Sequence, residues 1–491
     1  MRPDATDAVP PCAPPSNPCR DCAGTGILPG DRDVFSNERL LPRVTSGAHV
    51  AICGGGIGGL ALALACQHRA IPFTVYERDQ TFDERSQGYG LTMQQGGKAL
   101  QALGLETTGQ HRLSGQGLHS KRHVVHRPDG TVVGEWGMRI WGRPETKQQD
   151  AKRQNVHIAR QQLRRVIYDQ IVDKDRIRWG HKLESYSESG ELVHMTFSKK
   201  DRAAADGETV RCRASVLIGA DGIRSAVRRQ KIGDAVSPLR YLGCIVILGI
   251  APSPKSSDLT DDNETVFQTA DGTTRLYAMP FSKKGQETAN AARVADAGAG
   301  NGETMWQLSF PVREEDAERL SARGSESLKR EALRRCGTWH LPIPDLLRST
   351  PVELISGYPV YDREMLAEVD LRHGREEDGG GAESRVTLLG DAAHPMSPFK
   401  GQGANQALLD AVAAARALYK AFRAHDEASA ANEGPASSRI GELLAEYEAS
   451  MSRRTATKVR ASAEAAKLLH TEAAISVGNI TRGAAAKQLI K

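Results

Sequence analysis

The chain has 491 residues, 39% of them hydrophobic, enough for two or three domains with a substantial core. Its 65 Lys and Arg exceed its 60 Asp and Glu by five, and the excess is spread along the chain. No basic block marks a nucleic-acid groove, so nucleic acid is excluded as an expected partner. Eight cysteines, from Cys12 to Cys336 in so long a chain, do not form a disulfide framework by pattern, and reduced thiols are expected. No apolar window is long enough for a membrane span, and the start carries no signal-peptide core. Cytoplasmic residence is the resulting expectation, and oligomeric state leaves no trace in the sequence.

Residues 1–47 are rich in Pro, lack Lys and show little periodicity, as a disordered extension would. Within them, Cys19 and Cys22 open a CxxCxGxG stretch, with only Cys12 nearby and no His before His49. Half a zinc knuckle and an unstructured tail both fit that pattern, and no metal site is assigned. From His49 the chain alternates: a strand over 50–53, a helix over 58–68 and a second strand over 73–76 predict a βαβ unit. Two short β-rich runs follow over 209–219. Between about 240 and 311 several strands occur without intervening helices, which predicts a separate, mainly antiparallel sheet. Parallel-sheet texture returns at 384–394, ahead of an Ala- and Leu-rich helix over 403–422. The stretches 284–303, 373–384 and 424–438 read as surface insertions, and 439–490 as a helical tail.

Gly54, Gly56 and Gly59 fill a GxGxxG between the first strand and the helix. The first glycine makes the tight turn, the second lets backbone approach a pyrophosphate, and the third lets helix pack on sheet. The helix start offers unpaired N–H groups and a positive dipole end. Glu77, at the end of the second strand, can accept hydrogen bonds from ribose hydroxyls. Further on, Asp221-Gly222 follows a buried strand, and Ser225 and Arg228 lie in the polar turn beyond it. Gly390-Asp391 ends another strand, and "GQGAN" opens the long helix. That opening is a second anion-favouring site. Each piece alone is also compatible with an ordinary turn.

Together these three segments resemble the class A FAD-dependent monooxygenases of the para-hydroxybenzoate hydroxylase fold, over nearly everything from residue 48 to about 425. The resemblance implies an α/β fold: a Rossmann-like FAD-binding domain with a parallel sheet (48–235 and 356–425), an inserted antiparallel substrate-binding sheet (236–355), and a linker with C-terminal helices (426–491). It implies resident FAD, transient NAD(P)H, O₂ and a small organic substrate. Position by position, it puts Glu77 on the adenosine ribose and backbone at Gly90 close to the cofactor. Arg160 matches an Arg-x-x-Leu whose Arg reaches FAD, although a surface salt bridge would suit the same spacing. Asp221 belongs to a motif serving FAD and the nicotinamide donor, Asp391 matches the Gly-Asp carboxylate, and Gly403, Ala404 and Asn405 form the flavin-facing helix start.

The chemistry so implied is hydroxylation or epoxidation by a flavin C4a-hydroperoxide, with the protein positioning substrate and excluding water. Alternation places Arg275, Tyr277, Met279 and Phe281 on one strand face, with Trp306, Leu308 and Phe310 expected opposite them on the paired strand. These read as pocket lining or as plain core. No His or carboxylate stands out as a catalytic base, and no catalytic residue is assigned. Lys400, in the loop before Gly401, reads either as a cation beside the flavin or as a solvated side chain. The Trp-x-Trp-x-Ile-Pro of flavin halogenases is absent. A prenyl-type reductase and a non-catalytic FAD-bound scaffold docking a partner through the N-terminal tail are the competing readings.

Overall fold

The computed structural model describes residues 48–84, 89–105, 118–137, 156–199, 208–254, 259–260, 264–283, 302–373, 384–430 and 437–476. The N-terminal extension with Cys12, Cys19 and Cys22 lies outside the described residues, as does nearly all of the 284–303 insertion.

A five-stranded parallel sheet forms the nucleotide-binding half, in the order Val386–Leu388, Val216–Gly219, Val50–Cys53, Phe73–Glu77 and Ile177–Trp179. The first strand is buried on both faces, which is why it reads as an unbroken apolar run rather than an alternation. The helix Ile57–His68 is nearly all apolar because one side meets this sheet and the other meets the long helix Gly403–Ala430. Its alanines at 61, 63 and 65 are fully buried, letting the two helices approach closely. The long helix runs eight residues past the predicted end at 422, into the stretch read as an insertion.

The second half is a seven-stranded sheet, in the order Ile355–Asp362, Arg240–Pro252, Gly302–Pro311, Arg275–Lys283, Thr265–Ala270, Arg122–His126 and Val132–Trp136. All neighbours are antiparallel except Arg122–His126 against Thr265–Ala270. Three of its strands therefore come from outside residues 240–311. One face packs on the helices Ser325–Cys336 and Ile343–Ser349 around Trp306, Leu308 and Phe310. The other face carries Val246, Met279 and Met305 and looks towards the nucleotide-binding half. Alternation sets Trp306, Leu308 and Phe310 opposite Arg275, Tyr277, Met279 and Phe281, but the cross-strand register pairs Tyr277 with Gln307 and Met279 with Met305. A one-residue offset moves a side chain to the opposite face. Trp306, Leu308 and Phe310 are core residues, with the Trp306 indole donating to Thr350 Oγ1 at 2.8 Å.

The helix Ser437–Leu468 crosses both halves and is docked by buried charge. Glu448 Oε2 lies 3.2 Å from Arg372 Nη1, and its Oε1 accepts from Thr387 Oγ1 at 2.6 Å. No helix among the described residues is long and apolar enough to cross a membrane. The five cysteines among them carry no disulfide. Because removing one partner leaves the other charge buried, Glu448→Ala is expected to cost about 3–5 kcal/mol, read as a lowered urea midpoint. A loss below about 1 kcal/mol would mean that this pair does not dock the helix.

Candidate active site

The glycine-rich turn is built to a tolerance that two of its glycines set. Gly54 has φ +115°, and a Cβ there would stand 2.4 Å from Ala220 O. A Cβ on Gly59 would stand 1.9 Å from Gly54 O, so only glycine lets this helix start sit on its strand. Gly56 is different. A Cβ there meets nothing within 4 Å, and the residue opens onto a large cavity. The helix that follows has no side-chain cap, so its first N–H groups are available at the cavity edge beside Ile57 and Gly58.

Gly55 is clamped from both sides. Its N–H donates to Glu77 Oε2 at 2.6 Å, and its carbonyl accepts from Arg164 Nε at 2.9 Å. Glu77 Oε1 also accepts from the Asp79 N–H at 3.0 Å. Arg164 Nη1 donates to Phe82 O at 2.8 Å, and its guanidinium lies 4.3 Å from the Phe82 ring centre. Burial lowers the Arg164 pKa, an effect the Glu77 charge opposes. Arg164 is a site residue that no motif in the sequence marks. Its signal was a second arginine one helical turn after Arg160, on the side of Leu163 and Ile167 that packs inward.

The Asp-Gly and Gly-Asp motifs meet through another buried arginine. Asp221 accepts from Ser225 Oγ and from the Ala226 N–H (2.7 Å), capping a short helix while it lines the cavity. Burial raises its pKa, against those hydrogen bonds. Arg228, 1% exposed, donates through Nη1 to the carbonyls of Ala392 and Ala393, each at 2.9 Å, and through Nη2 to Ser237 Oγ at 2.6 Å. Burial, and then Arg363, pull its pKa down to about 10. The loop carrying Asp391 is thus fixed to the helix after Asp221.

Among the described residues none donates a hydrogen bond to the Asp391 side chain, which is open to the cavity yet surrounded by protein, and that burial raises its pKa. Its Oδ1 would stand 3.5 Å from a Cβ on Gly403, where the long helix begins. Asn405 lies behind this wall, fully buried. Its Oδ1 accepts from the N–H groups of Gln94 and Gly96, both at 2.8 Å, and its Nδ2 donates to the carbonyls of Thr92 (2.9 Å) and Gly401 (2.8 Å). All four of its hydrogen bonds go to backbone, so it positions the helix start against the strand Gly90–Met93. Five residues further along the same helix, Asp410 accepts from the Gly390 N–H at 2.8 Å and from His394 Nε2 at 2.6 Å, and pairs with Arg454 of the C-terminal helix. Burial alone would raise this carboxyl, but His394 and Arg454 outweigh it and hold it at about 2.

These elements enclose one cavity of about 1510 Å³. A single small-ligand pocket is about 300–1,000 Å³, so the volume suits a nucleotide cofactor and a second molecule together. Every site residue picked out from the sequence lines it except Gly59 and Asn405, which stand directly behind it. Lys400 is on the wall, and so are Arg275, Tyr277 and Met279. Phe281 is not: it packs in the apolar cluster beneath Met279, past a register shift between Pro280 and Ser282. Ala461, Ala465 and Leu468 of the C-terminal helix close one side. Among the described residues no His, Cys, Asp and Glu side chains gather as a metal site.

Comparison with known proteins bears on the same surfaces. An FAD-binding-domain family model matches residues 47–320 and 381–432. The aurachin C monooxygenase/isomerase of Stigmatella aurantiaca is 30% identical, over 76% of this chain and 81% of that protein. The phenazine 1,6-dicarboxylic acid hydroxylase PhzS of Lysobacter antibioticus is 26% identical, over 75% and 82%. The crystal structure of Klebsiella pneumoniae HpxO with FAD and uric acid superposes with a TM-score of 0.65 at 20% identity, covering 87% of this chain and 90% of that one, which is a likeness of fold. The glycine turn, the Asp-Gly helix, the Gly-Asp loop and the matched model agree: this chain belongs to the FAD-dependent monooxygenase family.

Proposed function

We propose that the cavity holds FAD along the two helix starts and a small aromatic or otherwise apolar substrate against the seven-stranded sheet, with NAD(P)H as a visiting reductant. The observation that carries this reading is continuity. One cavity joins Gly56, Glu77 and Asp391 to Met279 and Met305 of the sheet. Bound FAD supplies hydride acceptance from the nicotinamide and activation of dioxygen.

The chain's own residues do the rest. The first-turn N–H groups after Gly56 face the pyrophosphate, where any side chain at 56 would intrude. Glu77, oriented by the Gly55 and Asp79 N–H groups, turns its remaining lone pairs to the adenosine ribose. Arg160, whose guanidinium lies 5.6 Å from the Tyr89 ring centre, and Asp391 offer opposite charges on the cavity wall, with Gly403 and Ala404 leaving backbone N–H groups open between them. Met279 and Met305 give an adaptable apolar surface for a planar ring. The C-terminal helix keeps water from the far side, which protects an oxygen-transfer step from wasteful release of peroxide. Relatives named for phenazine dicarboxylic acid and 3-amino-4-hydroxybenzoate act on planar aromatic acids, in line with an aromatic substrate here.

The test is direct: purified protein should carry FAD, and a screen of aromatic compounds should find one that accelerates NAD(P)H oxidation and gains one oxygen from labelled dioxygen. Protein that cannot be loaded with FAD would refute the reading. Gly56→Val should weaken FAD binding about tenfold or more while moving the unfolding free energy by about 1 kcal/mol or less, because its side chain enters only the cavity. Equal loss of fold and cofactor would contradict that. Asp391 makes a second prediction. A carboxyl with a raised folded pKa disfavours the folded state above the ordinary carboxylate range, and the penalty vanishes as pH falls below it. In FAD-free protein, Asp391→Asn should therefore raise the urea midpoint at neutral pH, with the gain disappearing in acid. A loss of stability at every pH would overturn the placement.

A further inference from the structure

Where the helix Ser437–Leu468 ends, the chain stays on the seven-stranded sheet. Residues 469–476 cross one end of it, with His470, Ala474 and Ile475 buried. His470 Nε2 lies 2.8 Å from Ser309 Oγ, on the strand Gly302–Pro311. The Glu472 carboxylate lies against Gly272, in the turn between Thr265–Ala270 and Arg275–Lys283, where a Cβ would stand 2.3 Å from its Oε1. The Ile475 carbonyl accepts from Arg127 Nη2 at 3.4 Å, just past Arg122–His126. These four strands are neighbours in the sheet, so the segment straps across three inter-strand gaps, about 14 Å.

His470 joins this strap to the cavity wall. Its Nδ1 lies 2.6 Å from the Ala466 carbonyl, which can only accept, so the ring proton is on Nδ1. Burial lowers the His470 pKa to about 4; the Ala466 carbonyl opposes that shift and the Arg275 charge adds to it. The ring is therefore neutral at neutral pH, and Nε2 accepts from the Ser309 hydroxyl. Ser309 is fully buried and is the cross-strand partner of Arg275, on the face that lines the cavity. The imidazole also meets the Phe399 ring, with 5.6 Å between centres and 80° between planes. Phe399 lies in the turn Pro398–Lys400, just ahead of the helix start at Gly403, and lines the cavity with Leu468 and Leu469. One imidazole thus ties the strap, the sheet and that turn together.

The contacts that dock the helix by charge, Glu448 with Arg372 and Arg454 with Asp410, lie further back. About 21 Å of helix separates Arg454 from Leu468. At the far end the latch is a neutral hydrogen bond and a ring contact, each weak enough to open while the charged contacts stay made. We propose that His470 is a positioning residue: by latching residues 469–476 to Ser309 and bracing Phe399, it closes the ring end of the cofactor site to water, and its release opens that end. This rests on the assignment of the cavity to FAD with its ring end near Gly403. An apolar residue at 470 would fill the same space, but it would leave the Ser309 hydroxyl buried without this acceptor.

The experiment measures iodide quenching of flavin fluorescence in the FAD-loaded protein, beside its visible absorption spectrum. Losing a neutral hydrogen bond shifts an open–closed equilibrium about three- to tenfold. His470→Leu should therefore raise the quenching slope about threefold or more and move the flavin spectrum towards that of FAD in water. Ser309→Ala breaks the latch from the sheet side by removing one oxygen and should do the same. It keeps the test open should His470→Leu not fold. His470→Gln, whose amide oxygen can accept from Ser309, should stay within about twofold of the wild type, a rescue that mere space-filling would not give. Unchanged quenching in both His470→Leu and Ser309→Ala would overturn the proposal, as would a rise in His470→Gln equal to that in His470→Leu. A wild type that binds no FAD sinks the cavity assignment itself, a result distinct from either of these.

Discussion

Asp410 sits fully buried in the long helix, and its carboxylate is shared by the Gly390 N–H, His394 Nε2 and the Arg454 guanidinium. Since an ionised carboxylate only accepts, His394 must carry its proton on Nε2. A charge this deep is tolerable only with all its partners in place, and removing one costs about 3–5 kcal/mol. An exposed pair such as Lys182 with Glu184 contributes about 0–1 kcal/mol at most. The Gly-Asp turn, the long helix and the C-terminal helix therefore move together or not at all. Asp391, next to Gly390 on that turn, is left lining the cavity with no hydrogen bond to its side chain from the described residues. Asn405 does the same for the neighbouring strand with uncharged groups.

The site follows from how these rigid pieces meet. Two helix starts, each opened by glycine, converge on one cavity from the parallel sheet, and the far wall is a sheet face of mixed character. The buried arginines divide their labour. Arg164 and Arg228 spend their donors on backbone carbonyls and so shape the cofactor side. Arg275 spends one donor on a glutamine and lines the sheet wall.

Much of the nucleotide-binding half was legible in the sequence because its signals are local. Gly54, Gly56 and Gly59 act within one turn, and the buried strands announce themselves as apolar runs. The same locality limits the reading. Arg164, Arg228 and Asp410 matter through partners 109, 164 and 16 positions away; spacing can put Arg164 on the inward face of its helix and Arg228 in the turn after Asp221, but nothing local says what either would hold. Asn405 was noticed for its place in "GQGAN", but its four backbone partners become visible only when the strand 90–93 lies beside it. Alternation puts Arg275, Tyr277, Met279 and Phe281 on one face of their strand without saying whether that face is pocket or core; the first three line the cavity and Phe281 does not. On the neighbouring strand alternation again gives two faces, and only cross-strand register says which one is inside. Gln307 and Met305 were missed for that reason. A polar residue between Trp306 and Leu308 reads as outward-facing unless a polar cavity is there to receive it.

The central claim is that the glycine turn and the Gly-Asp loop grip the same cofactor from two sides. A crystal structure of the FAD-loaded protein tests this most directly. It should show the adenosine ribose at Glu77, the pyrophosphate at the Gly56–Ile57 N–H groups, and the ring end near Gly403 and Ala404, leaving the space beside Arg275 and Met279 for substrate. FAD bound with its adenosine away from Glu77, or with its ring end filling the space beside Arg275, would contradict the account.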